Sequence, residues 1–138
     1  MKLKSQLFIV YFLIAYFLSS ACSTKEDPNV TNQDFQFTDL KAVDSAKFLN
    51  ENPKVVVLDV RTPAEFKQGH IPNALNIDYK ADNFETELGK LDRNTTYLIL
   101  CRSGRRSSNS FDTFKKLGFK NIVHIDDGIL GWKEELVQ

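Results

Sequence analysis

The 138 residues carry 18 basic and 18 acidic side chains, and 42% of them are hydrophobic. That length admits one domain around one core and excludes a second. Nothing in the balanced charge suggests a nucleic-acid partner.

Residues 1–21 read as a signal peptide that is not part of the fold. Lys2 and Lys4 make a basic start, and Leu7 to Leu18 is a twelve-residue apolar run, short for a bilayer span. Ser19, Ser20 and Ala21 then lead into Cys22. Small residues before a cysteine resemble a bacterial lipobox, with Ser19 standing where the usual Leu would be. Cys22 is therefore expected to be the lipidated first residue; plain secretory cleavage and an uncleaved anchor are the other readings. Removing residues 1–21 leaves 16 basic against 18 acidic residues. Two or three acyl chains on Cys22 would hold the protein firmly to a membrane.

Residues 22–34 form the lipidated cysteine and a flexible tether, since Ser23 to Asp34 is polar, carries Pro28 and shows no apolar period. Ser23, rather than an Asp after Cys22, favours the outer over the inner membrane. Lys25-Glu26-Asp27 resembles the acidic surface-export tags of Bacteroidetes lipoproteins. The expected location is the cell envelope, with the domain of residues 35–138 in the periplasm or on the cell surface.

Strands and helices alternate from Phe35. Phe37 to Val43 reads as a first strand or its approach, and Ser45 to Asn52 as a helix capped by Asp44, with Ala46, Phe48 and Leu49 on its apolar face. Val55 to Val60, apolar except for Asp59, suits a central parallel strand. Thr62-Pro63-Ala64-Glu65 combines a capping box with a proline at the first helical position, predicting a short helix that ends by Gly69. Ala74 to Ile77 is a third strand. Asp82-Asn83-Phe84-Glu85 reads as a second capping box, opening a helix to Leu91 that buries Phe84, Leu88 and Leu91. Tyr97 to Leu100, Arg105 to Leu117 and Ile122 to Ile125 then read as strand, helix and strand, with Gly118 as the C-terminal cap. Such alternation predicts an α/β sandwich with a mainly parallel sheet, which binds ligands at the carboxyl ends of its strands.

Cys101 stands at one of those ends, in Y-L-I-L-C-R-S-G-R-R-S-S (Tyr97 to Ser108). The turn's N–H groups can converge into an anion nest, the helix N-terminus adds partial positive charge, and Arg102, Arg105 and Arg106 add whole charges. All three favour thiolate over thiol, whose ordinary pKa is near ~8.5, so Cys101 is the candidate nucleophile. With Cys22 assigned to lipid, Cys101 has no intramolecular disulfide partner.

Cys101, Arg102, Gly104, Arg106 and Ser107 match the pattern Cys-Arg-x-Gly-x-Arg-Ser, and the loop resembles the active-site loop of single-domain rhodaneses. Leu58 to Ile77 resembles the second hallmark of that family, from Asp-x-Arg through Glu-Phe to Gly-His-Ile-Pro. A Gly-x-x-Gly-Trp follows near the C-terminus, and together these resemblances cover about residues 37–136. They imply a rhodanese-like, three-layer α/β sandwich with a five-stranded, mainly parallel sheet flanked by helices.

Asp59 and Arg61 are read as structural support for the loops, and Glu65 as a helix cap that could also pair with Arg106. His70 tempts a cysteine–histidine dyad, but the resemblance makes it a structural hallmark. His124 is read as a satisfied histidine on a strand. Two histidines and one available thiol make no convincing metal site. Trp132 is read as core, and Gly128 to Gly131 as a rim of the pocket.

The reaction expected is sulfur transfer. Cys101 attacks the outer sulfur of thiosulfate or a similar small donor, sulfite leaves, and a persulfide passes its sulfur to cyanide, a small thiol or a protein thiol. The amides of residues 102–106, including those of Ser103 and Gly104, form the cradle. Arg102 and Arg105 bind the anionic donor, with Arg106 joining them or turning to a carboxylate. No cofactor is called for, and a monomer is expected. A cysteine-based phosphatase or arsenate reductase is the rival reading, but those enzymes use Cys-x5-Arg, whereas Arg106 gives the shorter Cys-x4-Arg. A non-catalytic sulfur-carrier or binding module is the third.

Overall fold

A computed structural model describes residues 35–138. The expected signal peptide, Cys22 and the expected tether, residues 1–34, lie outside the described residues. The strands are β1 (Gln36–Leu40), β2 (Val56–Asp59), β3 (Leu75–Asn76), β4 (Thr96–Leu100) and β5 (Asn121–Ile125). Between them run α1 (Ala42–Glu51), α2 (Pro63–Lys67), α3 (Phe84–Leu88), α4 (Arg105–Asn109) and α5 (Phe111–Lys116), and a 3-10 turn (Gly128–Gly131) follows β5. The strands form one sheet in the order β1-β5-β4-β2-β3, every pair parallel.

Alternation along β4 builds a core on each face. Tyr97, Ile99 and Cys101 join Phe84, Leu88, Phe114 and Phe119 on one side, while Leu98 and Leu100 join Ala42, Ile71, Val123 and Ile125 on the other. Both faces of β4 are covered, which is why it is apolar from Tyr97 to Leu100. The three-layer α/β sandwich expected from the sequence is present, with its sheet wholly parallel.

Several boundaries differ from the sequence reading. Helix α1 begins at Ala42 with Lys41 as N-cap, ahead of the expected Asp44. Its first N–H is capped from across the chain by Asp127 Oδ1, 2.9 Å from Ala42 N. Helix α3 stops at Leu88 rather than Leu91, and Asn83 makes no side-chain cap, so the second capping box does not form. The helix expected over Arg105 to Leu117 is divided at Ser110, whose hydroxyl donates to the Ser107 carbonyl at 2.6 Å and competes with the helical ladder. The first capping box does form at Thr62 and Glu65, with Pro63 opening α2. Gly118 ends α5 as expected: its N–H bonds to Lys115, and that of Phe119 reaches Phe114.

A buried ion pair joins β2 to its neighbours. Arg61 Nε and Nη2 reach Asp59 Oδ2 at 2.8 and 2.6 Å, and Nη2 also reaches the Gly69 carbonyl at 2.7 Å. Asp59 is fully buried and Arg61 nearly so. Asn76 Nδ2 donates to the carbonyls of Asp59 and Arg61, tying β3 to the same turn. Removing one member would leave the other charge buried without a counterpart. Asp59→Ala is therefore expected to cost about 3–5 kcal/mol in urea denaturation. A loss under ~1 kcal/mol would mean that the pair behaves like a solvent-exposed one.

Candidate active site

The connection from β2 runs outward to β3, whereas that from β4 runs the opposite way to β5. The carboxyl ends of β2 and β4 therefore flank a topological switch point, where open parallel sheets leave a crevice. A cavity of about 400 Å³ lies there, lined by Thr62 and Glu65 after β2, Lys80 after β3, and Cys101, Arg102, Ser103, Arg105 and Arg106 after β4. Cys101 continues the inward alternation of Tyr97 and Ile99 and is 1% exposed.

The loop is held from behind by the 3-10 turn. Ile129 N–H donates to the Cys101 carbonyl at 2.9 Å and Leu130 N–H to that of Arg102 at 3.2 Å. Gly128 makes this approach possible, since a β-carbon there would stand 2.6 Å from the Arg102 carbonyl carbon. Gly104 has φ +82°, and a β-carbon would fall 1.8 Å from the Asp126 carbonyl oxygen. Neither position accepts a side chain without moving backbone. Gly128 to Gly131 thus buttress the loop instead of rimming the pocket as the sequence suggested. Trp132 packs beside the core, half-buried.

Burial pushes the Cys101 thiol up, but the Ser107 hydroxyl and the N–H groups of Ser107, Ser103 and Arg106 outweigh it and hold the pKa below that of a free thiol. The cradle differs from the expected amides of residues 102–106 by extending to Ser107, which contributes both N–H and hydroxyl. Helix α4 has only five residues, so local donors account for the lowered pKa more than a long helix dipole does.

The arginines divide into two kinds. Arg106 Nη1 and Nη2 grip Glu65 at 2.7 and 2.6 Å, a fork-to-fork pair that fixes the guanidinium beside the thiol. This pair and the nearby Cys101 raise the Arg106 pKa further. Of the two roles open to Arg106, the pairing with a carboxylate is present, while its side chain still lines the cavity beside Cys101. Arg102 and Arg105 line the cavity and form no ion pair among the described residues.

Glu65 both caps α2 and pairs with Arg106. Asp59 and Arg61 sit below the β2 turn without lining the cavity. His70 stacks on Phe66, places Nδ1 3.1 Å from the Phe66 carbonyl, and exchanges backbone bonds with Val137. It does not line the cavity, so no cysteine–histidine dyad forms. His124 is satisfied, as expected, but by partners the sequence did not suggest: Asp39 and Ser107. Lys80 and Thr62 at the cavity wall were also missed. Lys80 lies in a loop with no motif, and only the placement of β3 beside β2 brings it near the thiol.

The Arg106 grip holds the Glu65 carboxyl at about 2, against an ordinary 4.5. A carboxyl depressed by folding contributes stability above its ordinary range and loses it as pH falls through its folded value. Glu65→Gln is expected to be less stable than wild type at neutral pH in urea titrations. The gap should close as pH falls from about 4.5 to about 2; a gap constant across that window would refute the pairing.

Comparison with known proteins agrees with this geometry. Residues 42–135 match the model of the rhodanese-like domain. A putative thiosulfate sulfurtransferase, mitochondrial, of Schizosaccharomyces pombe is 31% identical, the match covering 78% of this chain and 81% of that protein. A putative sulfur carrier protein of Bacillus subtilis is 36% identical over 65% of this chain and 44% of its own length. The chain spans less than half the length of several curated relatives it matches. The crystal structure of a rhodanese-related protein from Thermoplasma volcanium superposes with a TM-score of 0.62 at 32% identity, covering 72% of this chain and 97% of that one. A thiol at the β4 terminus, a sheet ordered around it and a family match spanning both lead to one assignment: the chain belongs to the rhodanese-like domain family.

Proposed function

We propose that the domain is a sulfurtransferase that carries a sulfane sulfur on Cys101. The observation that carries this reading is a buried thiol, its pKa held down by the Ser103, Arg106 and Ser107 donors, in a cavity also lined by the exposed Arg102, Arg105 and Lys80. The Cys101 thiolate attacks the outer sulfur of thiosulfate. A new S–S bond forms, the old one breaks, and its electron pair leaves on sulfite. The terminal sulfur of the persulfide keeps one negative charge, which the Ser103, Arg106 and Ser107 donors stabilise. Cyanide or an acceptor thiolate then attacks that sulfur, forming thiocyanate or a new persulfide and regenerating the Cys101 thiolate. The balance requires no oxidant and no cofactor. The relatives described as a sulfurtransferase and a sulfur carrier suit a site whose donor and acceptor are small anions or thiols.

Engagement of Arg106 by Glu65 speaks against the phosphatase reading, because the short ring leaves its arginine turned to a carboxylate. On incubation with thiosulfate the purified domain is expected to gain the mass of one sulfur on Cys101 and to lose it to cyanide. Cys101→Ser should abolish both events with the fold intact. Arg105→Ala should raise KM for thiosulfate roughly tenfold or more, the range of one hydrogen bond to a charged group. Failure to load sulfur from any donor, with hydrolysis of an aryl phosphate through a phosphocysteine, would replace this reading.

We also propose that Cys22 is lipidated and anchors the domain to the envelope, the outer membrane being favoured over the inner. The support is the basic start, the apolar run and the small residues before the cysteine. Metabolic labelling with a fatty acid should mark the wild type and leave Cys22→Ala unlabelled. Equal label in both would refute the anchor.

A further inference from the structure

Lys80 lies outside both the thiol loop and the β2 turn, in a stretch with no motif. The sheet order places the turns after β4 and after β3 on either side of the turn after β2, so Lys80 reaches the cavity from the side away from Arg102 and Arg105. Its backbone is fixed. Tyr79 N–H donates to the Val60 carbonyl at 3.2 Å, Lys80 N–H to Asp78 Oδ1 at 2.8 Å, and Ala81 N–H to the Asp78 carbonyl at 3.1 Å. The Tyr79 ring meets Phe84 edge-on, with centroids 5.3 Å apart, and packs on the core. The Lys80 side chain, by contrast, is exposed and forms no ion pair among the described residues.

Five charged side chains line the cavity: Glu65, Lys80, Arg102, Arg105 and Arg106. Arg106 and Glu65 grip each other and offset. Lys80, Arg102 and Arg105 remain, each without a carboxylate partner among the described residues. In the transfer proposed above the attacking Cys101 sulfur carries one negative charge, which leaves two positive charges for the donor. Cys101 is 1% exposed, whereas the three cations are exposed. A donor whose outer sulfur meets Cys101 therefore carries its oxygens on the solvent side, among those cations. Thiosulfate brings two negative charges and closes the balance. A thiosulfonate, with an alkyl group in place of one oxygen, brings one, and it is the donor that the count would suit without Lys80. The residue type agrees, because an ammonium on a flexible stem is a point charge that recognises charge more than shape.

We propose that Lys80 is a specificity-determining residue that sets the charge of the donor, favouring a dianionic sulfane donor over a monoanionic one. The inference rests on the sulfurtransferase reading of Cys101 and adds to it a determinant outside the loop motif. Coulomb attraction is proportional to the charge of the ligand, so loss of one cation costs a dianion twice the free energy that it costs a monoanion. A change in the fold or in the thiol would affect both donors alike.

Single-turnover loading of the full chain at low ionic strength separates these cases, with thiosulfate and methanethiosulfonate as donors and the mass of sulfur added to Cys101 as the readout. Each donor gives its outer sulfur to the Cys101 thiolate, and sulfite or methanesulfinate leaves with the electron pair. Lys80→Gln is expected to slow loading from thiosulfate about tenfold and from methanethiosulfonate only about threefold, the square root that half the charge implies. Lys80→Arg keeps the charge and should stay within about twofold of wild type on both donors. Lys116→Gln removes a surface lysine paired with Glu85, controls for net charge, and should also leave both rates within about twofold of wild type. A Lys80→Gln variant that behaves like Lys116→Gln, or that slows both donors by the same factor, would overturn the proposal even in a domain that transfers sulfur. Calorimetric binding of the same two anions to Cys101→Ser, with and without Lys80→Gln, reads the charge preference where no transfer occurs. If the wild type loads no sulfur from either donor, the sulfurtransferase reading fails, and the binding comparison decides Lys80 by itself. Thiosulfate binding weakened more than methanethiosulfonate binding would then uphold the determinant, and equal weakening or none would overturn it.

Discussion

Two hydrogen bonds on the far side of the loop determine what the thiol meets. In a trans peptide the carbonyl and the following N–H point in opposite directions. When Leu130 N–H holds the Arg102 carbonyl outward, the Ser103 N–H of the same peptide is turned in toward the sulfur. The 3-10 turn that performs this is in turn fixed to α1 by Asp127, which takes the first helical N–H at Ala42. Gly128 and Gly104 are the places where backbone meets backbone, and the absence of side chains there lets the two layers close. The donors are thus in place before charge develops, so little reorganisation is needed when the sulfur becomes anionic.

Charge is distributed by the same logic. Arg106 lies next to the thiol, yet its fork is filled by Glu65, so it acts as a fixed wall whose positive field is largely offset. Arg102, Arg105 and Lys80 line the same cavity with exposed side chains that form no ion pair among the described residues. Under the sulfur transfer proposed above, exposed cations of this kind suit a donor and a leaving group that are both anions.

What the sequence disclosed was local in origin. The β4 run, the Thr62–Glu65 capping box and the Cys101 loop each depend on residues within a few positions, and each was legible. The α1 cap is made by Asp127 on Ala42 and the His124 partner is Asp39, both contacts spanning 85 residues. No propensity or period reports such pairs, because they exist only once β1 lies beside β5. Ser110 was misread for the opposite reason. Its hydroxyl bond to Ser107 is local, but helical spacing of Phe111, Phe114 and Leu117 persists across the break and conceals it. Helix α3 was drawn too long because Leu91 packs on the core from beyond the helix end.

Volume alone does not select the site. A larger hollow of about 490 Å³ lies at the opposite, amino-terminal ends of β2 and β4, lined by Glu51 to Val55 and Asn94 to Thr96. No cysteine or histidine lines it, and its one lysine, Lys54, shares it with Glu51. In a parallel sheet the carboxyl ends are followed by turns that open helices, and the free N–H groups of those helices all face the same crevice. The β4 terminus adds a glycine in the left-handed region, which bends the loop until amides from residues 103, 106 and 107 converge on one atom. Convergence of this kind cannot occur at the amino ends, where the chain arrives from helix termini whose unpaired groups are carbonyls. A sulfur anion is therefore stabilised at one end of this sheet and repelled at the other, and the cysteine is encoded at the end where its charge is favoured.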